Sequence, residues 1–211
     1  MTTSTTATAQ PAPTPPLLPR ADHRPGPSLR AAAVIAGGVL FAVGNALHPM
    51  EHDAAALEAP TWAAAHVTFA AGALLIAAGM GALSQRLAPS RLAQIGLGVL
   101  WVGLVLMPVS SVLEAYVAPA MGHDAFHELE ESIVWFSAVA GIATLLGPTL
   151  VAIGAFRQRL LPRLVTLALL GTTIGLLASG AVAEEGYAII PGTIVFGLGI
   201  AAAGWLSRRP A

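Results

Sequence analysis

Cysteine and lysine are both absent from the 211-residue chain, and charged residues of all kinds make up only 10% of it. Without cysteine there can be no disulfide, thiolate metal ligand, iron–sulfur cluster or cysteine nucleophile. Without lysine there can be no Schiff-base chemistry and no lysine-containing phosphate loop. A soluble domain is typically about 25% charged, so this chain lacks the polar residues that would cover a water-facing surface. The composition predicts a protein that has lipid as its main solvent.

Hydrophobic residues make up 55% of the chain and gather into runs long enough to cross a bilayer. A hydrocarbon core of about 30 Å is crossed by about 20 helical residues. The runs are apolar on every side of the helix, whereas a helix on the surface of a soluble protein is apolar along one stripe. We therefore predict an all-α bundle of six transmembrane helices, near residues 31–48, 62–84, 92–117, 132–155, 163–183 and 187–206.

The first 28 residues differ from the rest, being rich in Thr, Ala and Pro and holding seven of the sixteen prolines. A segment with so few apolar residues cannot bury enough surface to offset the entropy of ordering it. We predict a disordered cytoplasmic tail over residues 1–28, followed by a transmembrane domain over residues 29–209. The first apolar run begins about thirty residues into the chain, which is not typical of a secretory signal.

The charged residues separate by sign. All ten arginines fall in the tail, the loop between spans two and three, the loop between spans four and five, or the C-terminus. If the chain has six spans, these four segments lie on one side of the membrane. Ten of the eleven acidic residues fall on the opposite side. The positive-inside rule makes the arginine side cytoplasmic. We predict a multi-pass protein of the plasma membrane with both termini in the cytoplasm.

Two predicted cytoplasmic loops resemble each other. Residues 85–92 read QRLAPSRL and residues 158–164 read QRLLPRL, and Trp62 and Trp135 each precede their loop by 23 residues. Spans 2–3 and 4–5 therefore form a candidate parallel repeat of helical hairpins. The alternative is that each cytoplasmic hairpin independently requires arginine, proline and an anchoring tryptophan.

Histidines and acidic residues gather on the predicted outer side. His48 ends span one, His66 lies one turn inside span two, and Glu114 lies near the end of span three. Polar groups at or inside the membrane boundary usually face the bundle interior with a partner. Imidazoles and carboxylates from different helices are ligands of zinc, iron and copper. We therefore predict His48 and His66 as metal ligands, with Glu114 as a ligand or as a general base on metal-bound water.

The start of span four adds further candidates. His123 and His127 are four residues apart, a spacing that places them on one face of a helix. Glu130 and Glu131 follow on the same side, as metal ligands or as acceptors that fix a histidine tautomer. His127, Glu130 and Glu131 thus complete the predicted metal set. Hydrogen bonding to water or lipid headgroups is the plainer explanation for His123 and for His52, and it is an alternative for His127.

The sequence does not specify which metal would bind. Zinc and iron fit imidazole and carboxylate ligands. Two histidines on different helices, such as His48 or His66 with His127, would instead hold a b-type haem. Copper would use the thioethers of Met50 and Met121 as soft ligands beside the histidines.

The span interiors contain neither acidic residues nor arginine, which argues against a charge-coupled pump or a channel for permanent ions. The deep polar residues fit ordinary hydrogen bonds between helices; they are Gln94, Thr144, Thr149, Thr172 and Thr173. Nucleic-acid binding is not expected, because the arginines are spread as orientation signals without forming a patch.

The sequence thus predicts an integral membrane protein that binds a metal or haem at its outer face, as an oxidoreductase or a hydrolase. One alternative is a transporter or permease for a neutral or weakly charged solute. A second is a non-enzymatic accessory subunit, whose outer face would bind a partner membrane protein or a second copy of the chain.

Overall fold

The computed structural model describes residues 29–50, 53–182 and 189–208, excepting the side chains of residues 180–182. All regular elements in these ranges are helical, and none is a strand. A 3-10 turn, Ala56–Glu58, and a π-helical segment, Leu113–Val117, accompany the α-helices. The α-helices are α1 (Leu29–Leu47), α2 (Trp62–Leu87), α3 (Arg91–Val112), α4 (Ala118–Met121), α5 (His123–Ser132), α6 (Val134–Arg157), α7 (Arg163–Ala168), α8 (Gly171–Val182) and α9 (Ile189–Leu206).

Five helices in the described part of the chain are long and apolar enough to cross a membrane. They are α1, α2, the continuous stretch Arg91–Met121 that begins with α3, α6 and α9. Large apolar side chains lie exposed on their outer surfaces, as expected where hydrocarbon replaces water. The predicted all-helical character is therefore confirmed for the described residues, and the five apolar helices indicate a multi-pass membrane protein. The five helices match the predicted spans one to four and six in position.

The segment predicted as the fifth span is interrupted. α7 ends at Ala168, and the Leu170 N–H donates to the Leu167 carbonyl three residues back, which tightens the last turn. α8 begins at Gly171, where the backbone closely approaches Gly192 of α9. With 6 and 12 residues, neither half is long enough to span a bilayer alone. The count of six spans stays a prediction, and the predicted tail and His52 lie outside the described residues.

Glycines allow the helices to pack closely. α1 packs against α2 and α9, and α3 packs against α6. A Cβ added at Gly38 of α1 would lie 2.6 Å from the Gly197 carbonyl oxygen of α9. A Cβ at Gly147 of α6 would lie 2.5 Å from the Leu100 amide nitrogen of α3. Without such small residues the helix backbones could not come this close.

The two halves of the bundle differ in packing. We call the end where α1 ends and α2 begins the site end, and the opposite end the turn end. A core of leucine, isoleucine and alanine side chains fills the half near the turn end, including Leu87, Leu161 and Ile200. In the half near the site end, the helices surround a cavity. The fold therefore presents one wide recess toward the end where the predicted site residues lie.

Candidate metal centre

Three predicted residues meet at the site end. One ligand atom each from His48, His66 and Glu114 lies within 4.8 Å of the other two. The His66 Nε2 and Glu114 Oε2 atoms are 3.4 Å apart, and the ring centroids of the two histidines are 4.9 Å apart. His48 lies just after the end of α1, His66 lies in α2, and Glu114 lies in the π-helical segment. We refer to them as the His48/His66/Glu114 cluster.

His66 is the most enclosed member of the cluster. It lies one turn inside α2 and is 5% exposed, on the same helix face as Trp62. The Trp62 and His66 rings are 4.5 Å apart between centroids, and Trp62 is itself buried. Because Trp62 packs beside it, the imidazole of His66 is held on the interior face of α2.

His48 is positioned by the end of α1. It is followed by Pro49, and a residue before proline is disfavoured in helical conformation, which accounts for the end of α1 at Leu47. Its Nδ1 lies 2.7 Å from the Pro49 carbonyl oxygen. A carbonyl oxygen only accepts, so Nδ1 donates, and the neutral ring carries its lone pair on Nε2. Histidines that bind metals commonly donate their other nitrogen to a backbone carbonyl in this way.

Glu114 lies in the π-helical segment that follows α3. A π-helical turn contains an extra residue, and such turns inside α-helices are frequent at functional sites. The Trp62 indole Nε1 donates to the Glu114 backbone carbonyl over 2.7 Å, which ties α2 to this segment. The carboxylate is largely enclosed, with the side chain 19% exposed. Trp62 therefore contacts the rings of both histidines and anchors the backbone of Glu114.

The cluster geometry suits a metal ion. Bonds of about 2.0–2.1 Å at tetrahedral angles separate neighbouring ligand atoms by about 3.3 Å. The His66–Glu114 distance of 3.4 Å is close to this value. The remaining separations, up to 4.8 Å, would close by side-chain movements of about 1 Å. Two imidazoles and one carboxylate form the ligand set of catalytic zinc sites and of non-haem ferrous sites, both of which keep positions open.

A cavity of about 540 Å³ lies beside the cluster. The three cluster residues form part of its wall, and apolar side chains form most of the rest. The wall includes residues of α1, α2, α3, α6, α8 and α9; the main ones besides the cluster are Phe41, Asn45, Met50, Phe69, Leu104, Met107, Gly141, Thr144, Leu145, Thr172, Leu176, Thr193 and Phe196. An open metal position in the cluster would therefore face a partly open, mainly apolar space.

A polar link crosses the cavity wall next to His48. The Asn45 Nδ2 donates to the Phe41 carbonyl over 2.8 Å, and the Thr193 hydroxyl of α9 lies 2.7 Å from the Asn45 Oδ1. Asn45 shares a helix face with His48, as its spacing predicts. The part played by Thr193 was not predicted, because a threonine near the start of an apolar helix is a weak signal.

The remaining predicted ligands lie on α5. The segment is helical, as the spacing of its histidines requires, and the His127 Nε2 lies 3.6 Å from the Glu131 Oε1. Both side chains are exposed, at 66% and 72%, and neither belongs to the cluster. Glu130 is close enough to Glu114 for the two carboxylates to repel each other when both are ionised. The structure thus brings together His48, His66 and Glu114, and leaves His127 and Glu131 at the surface.

No protein-family model, curated protein or solved structure matches this chain. The function therefore has to be inferred from the cluster and the cavity.

Proposed function

We propose that this chain is a multi-pass membrane protein that binds one divalent metal ion, zinc or ferrous iron, through His48, His66 and Glu114. The observation that carries the proposal is the convergence of three ligand atoms within 4.8 Å from three separate parts of the chain. Imidazole and carboxylate groups are costly inside an apolar bundle, and a bound metal ion would offset that cost.

The set of three ligands supports catalysis rather than a purely structural role. Structural zinc sites are usually closed by four protein ligands, whereas catalytic sites keep one position for water or substrate. Bound zinc would support hydrolysis by polarising a carbonyl oxygen, and ferrous iron would support oxidation. His66 and Glu114 would hold the ion from the buried side, and His48 from the end of α1. We therefore propose a membrane hydrolase or oxidoreductase.

The test is metal analysis on purified, folded protein. Detergent-purified protein would be stripped of metal and then incubated with zinc, with ferrous iron under anaerobic conditions, or with copper. We expect about one zinc or iron ion per chain. His66→Ala and Glu114→Ala should lose the ion, whereas the matched control His127→Ala should retain it. An absorption spectrum of the unstripped protein would detect haem.

Two outcomes would overturn the proposal. Folded wild-type protein that binds no ion after supplementation would exclude it. The proposal would also be excluded if His66→Ala still bound the ion, once a thermal unfolding transition has shown that this variant is folded. If His66→Ala does not fold, His66→Gln keeps a polar side chain of similar size and serves instead. Stabilisation by a solute in the absence of metal would favour the transporter alternative.

We further propose six spans with both termini in the cytoplasm of a plasma-membrane protein. α7, the two-residue turn and α8 together cover residues 163–182, about 30 Å of helix, which matches a hydrocarbon core. All described arginines then lie at the turn end, on the side that the positive-inside rule makes cytoplasmic. In this arrangement spans 2–3 and 4–5 run in the same order, as a parallel repeat requires. A C-terminal fluorescent protein should fluoresce and a C-terminal alkaline phosphatase should be inactive; the reverse would refute this topology.

A further inference from the structure

We infer that the cavity beside the cluster takes an amphiphile from the lipid phase, with one elongated apolar body and a metal-binding oxygen at its polar end. The inference rests on the proposed function, because it assigns the polar end to a metal ion held by the His48/His66/Glu114 cluster. The observations that support it are the chemistry of the cavity wall, its depth, its border with the lipid-facing surface and the open space at Gly141.

The cavity wall selects for an apolar ligand. A volume of about 540 Å³ lies within the range of small-molecule sites, about 300–1,000 Å³. Aromatic and leucine side chains from five helices form the wall away from the cluster; they include Phe41, Phe69, Leu104, Leu145 and Phe196. A polar or charged solute would lose its hydration there without gaining enough hydrogen bonds in return. An apolar body gains from burial against these side chains.

The positions of the wall residues give the ligand an orientation. The cluster lies at the site end, while Phe41 lies seven residues before His48, and Leu104 ten residues before Glu114. At 1.5 Å per helical residue, the cavity reaches about 10–15 Å into the bundle from the cluster. A ligand with its polar end at the cluster would therefore extend its apolar body toward the membrane interior.

The cavity borders the surface that faces lipid. α6 packs along α3 and α8 packs along α9, whereas α6 and α8 contact each other only weakly. Leu145 of α6 and Leu176 of α8 both line the cavity, which therefore reaches the seam between these helices. Ile142 and Leu177, on the same two helices, are 62% and 73% exposed. A lipid-soluble molecule could thus enter from the bilayer without crossing water.

Gly141 provides a way to block the cavity. It lines the cavity, and a Cβ added there would meet no atom within 4 Å among the described residues. A larger side chain would therefore occupy open volume without displacing the backbone of a neighbouring helix. Gly98 of α3 is a matched control, because it also has no atom within 4 Å of an added Cβ but does not line the cavity.

Photoaffinity labelling of the full chain in lipid nanodiscs tests the inference. The probe is dodecanoic acid that carries a diazirine near its methyl end, and mass spectrometry of peptides locates the label. We expect label on cavity residues of α6 and α9 in zinc-loaded protein, with competition by dodecanoate but not by butyrate at the same concentration. Gly141→Phe should lower cavity labelling about tenfold, because filling the space excludes the chain, while Gly98→Phe should not. Removal of zinc should lower it as well.

Metal content measured on the same samples separates the two proposals. If zinc binds but the label spreads over the lipid-facing surface and does not respond to Gly141→Phe, the amphiphile inference is wrong and the metal site stands. If the cavity is labelled equally with and without zinc, the assignment of the polar end to the metal is wrong, and the inference fails in the form stated here. If folded protein binds neither zinc nor ferrous iron, the proposed function fails, and this inference fails with it.

Discussion

The Nε2 atom of His66 lies 3.4 Å from the Oε2 atom of Glu114, close to the separation of two neighbouring ligands around a tetrahedral metal ion. His66 comes from α2 and Glu114 from the π-helical segment after α3, 48 positions later in the chain. Trp62 joins these two elements through its ring contact with His66 and its hydrogen bond to the Glu114 carbonyl. Its ring also lies 5.3 Å from that of His48 between centroids, so one buried tryptophan contacts all three proposed ligand residues.

Replacement of Glu114 by glutamine should weaken metal binding. The amide keeps the size of the carboxylate but removes its negative charge, so we expect the metal affinity to fall about 100-fold or more. Competition with a chromophoric chelator would measure the change. Glu131→Gln is the matched control. Glu131 is exposed beside His127, so this substitution should leave the metal affinity unchanged. Equal affinities for the two variants would show that Glu114 is not a ligand.

Metal affinity should fall as the solution becomes acidic. Only neutral imidazole binds a metal, and histidine has a pKa of about 6.5 in model peptides. Below that pH each histidine ligand must release a proton to bind, so two of them lower the affinity by up to about 100-fold per pH unit. Protonation of the Glu114 carboxylate would strengthen this trend, because the neutral acid is a poorer ligand. The same chelator competition measures the change, once the chelator's own protonation has been corrected for. A metal affinity that stays constant between pH 7.5 and pH 5 would contradict a site with two histidines.

Hydropathy was sufficient to predict five of the apolar helices, and the polar residues at the ends of these runs include the three cluster residues. His48, His66 and Glu114 lie at the ends of apolar runs, where a polar side chain is costly unless it faces the interior. The same reasoning could not separate them from His127. A spacing of four residues places His123 and His127 on one face of α5, but it does not indicate whether that face turns inward, and the helix leaves His127 exposed. Rotation of a helix about its axis depends on packing that an apolar run does not specify.

Other features of the site depend on backbone detail. The π-helical turn at Leu113–Val117 and the turn between α7 and α8 interrupt runs that hydropathy alone predicts as continuous helices. The cavity exists because side chains from six helices stop short of one another, a property of the whole bundle. Among the deep polar residues, the predicted interhelical bonds are present for Gln94 with Ser84 and for Thr149 with Thr173. Thr144 instead bonds within its own helix.

Replacement of Trp62 by phenylalanine should lower the stability and the metal affinity, while an aromatic ring still fills the space beside His66. Phenylalanine keeps an aromatic ring but removes the indole N–H that donates to the Glu114 carbonyl. We expect the free energy of unfolding to fall by about 1 kcal/mol and the metal affinity by about tenfold. Trp135→Phe is the control, because Trp135 is 69% exposed on α6. If metal binding by Trp62→Phe matched that of Trp135→Phe, the Trp62 hydrogen bond would not position the ligand.

The contact between α3 and α6 should be sensitive to a single methyl group. Gly147→Ala would place a Cβ 2.5 Å from the Leu100 amide nitrogen, so the helices must separate. We expect a loss of about 2 kcal/mol in the free energy of unfolding, measured by titration with a denaturing detergent. Gly98→Ala, at an open position on α3, should be neutral or stabilising by up to about 1 kcal/mol, because alanine favours a helix more than glycine does. The reverse order of stability would mean that α3 and α6 do not pack as described.

Replacement by valine should have different effects on stability at two adjacent threonines of α8. The Thr173 hydroxyl lies 2.9 Å from the Thr149 hydroxyl of α6, so Thr173→Val removes a hydrogen bond between helices and should destabilise the fold by about 0.5–1 kcal/mol. The Thr172 hydroxyl is buried and has no hydrogen-bond partner among the described residues. Valine has nearly the same shape and no polar atom to satisfy, so Thr172→Val should be neutral or stabilising by about 1 kcal/mol. The same detergent titration measures both variants, each of which replaces one hydroxyl by one methyl group. A greater loss of stability in Thr172→Val than in Thr173→Val would show that the Thr149–Thr173 contact does not hold α6 and α8 together.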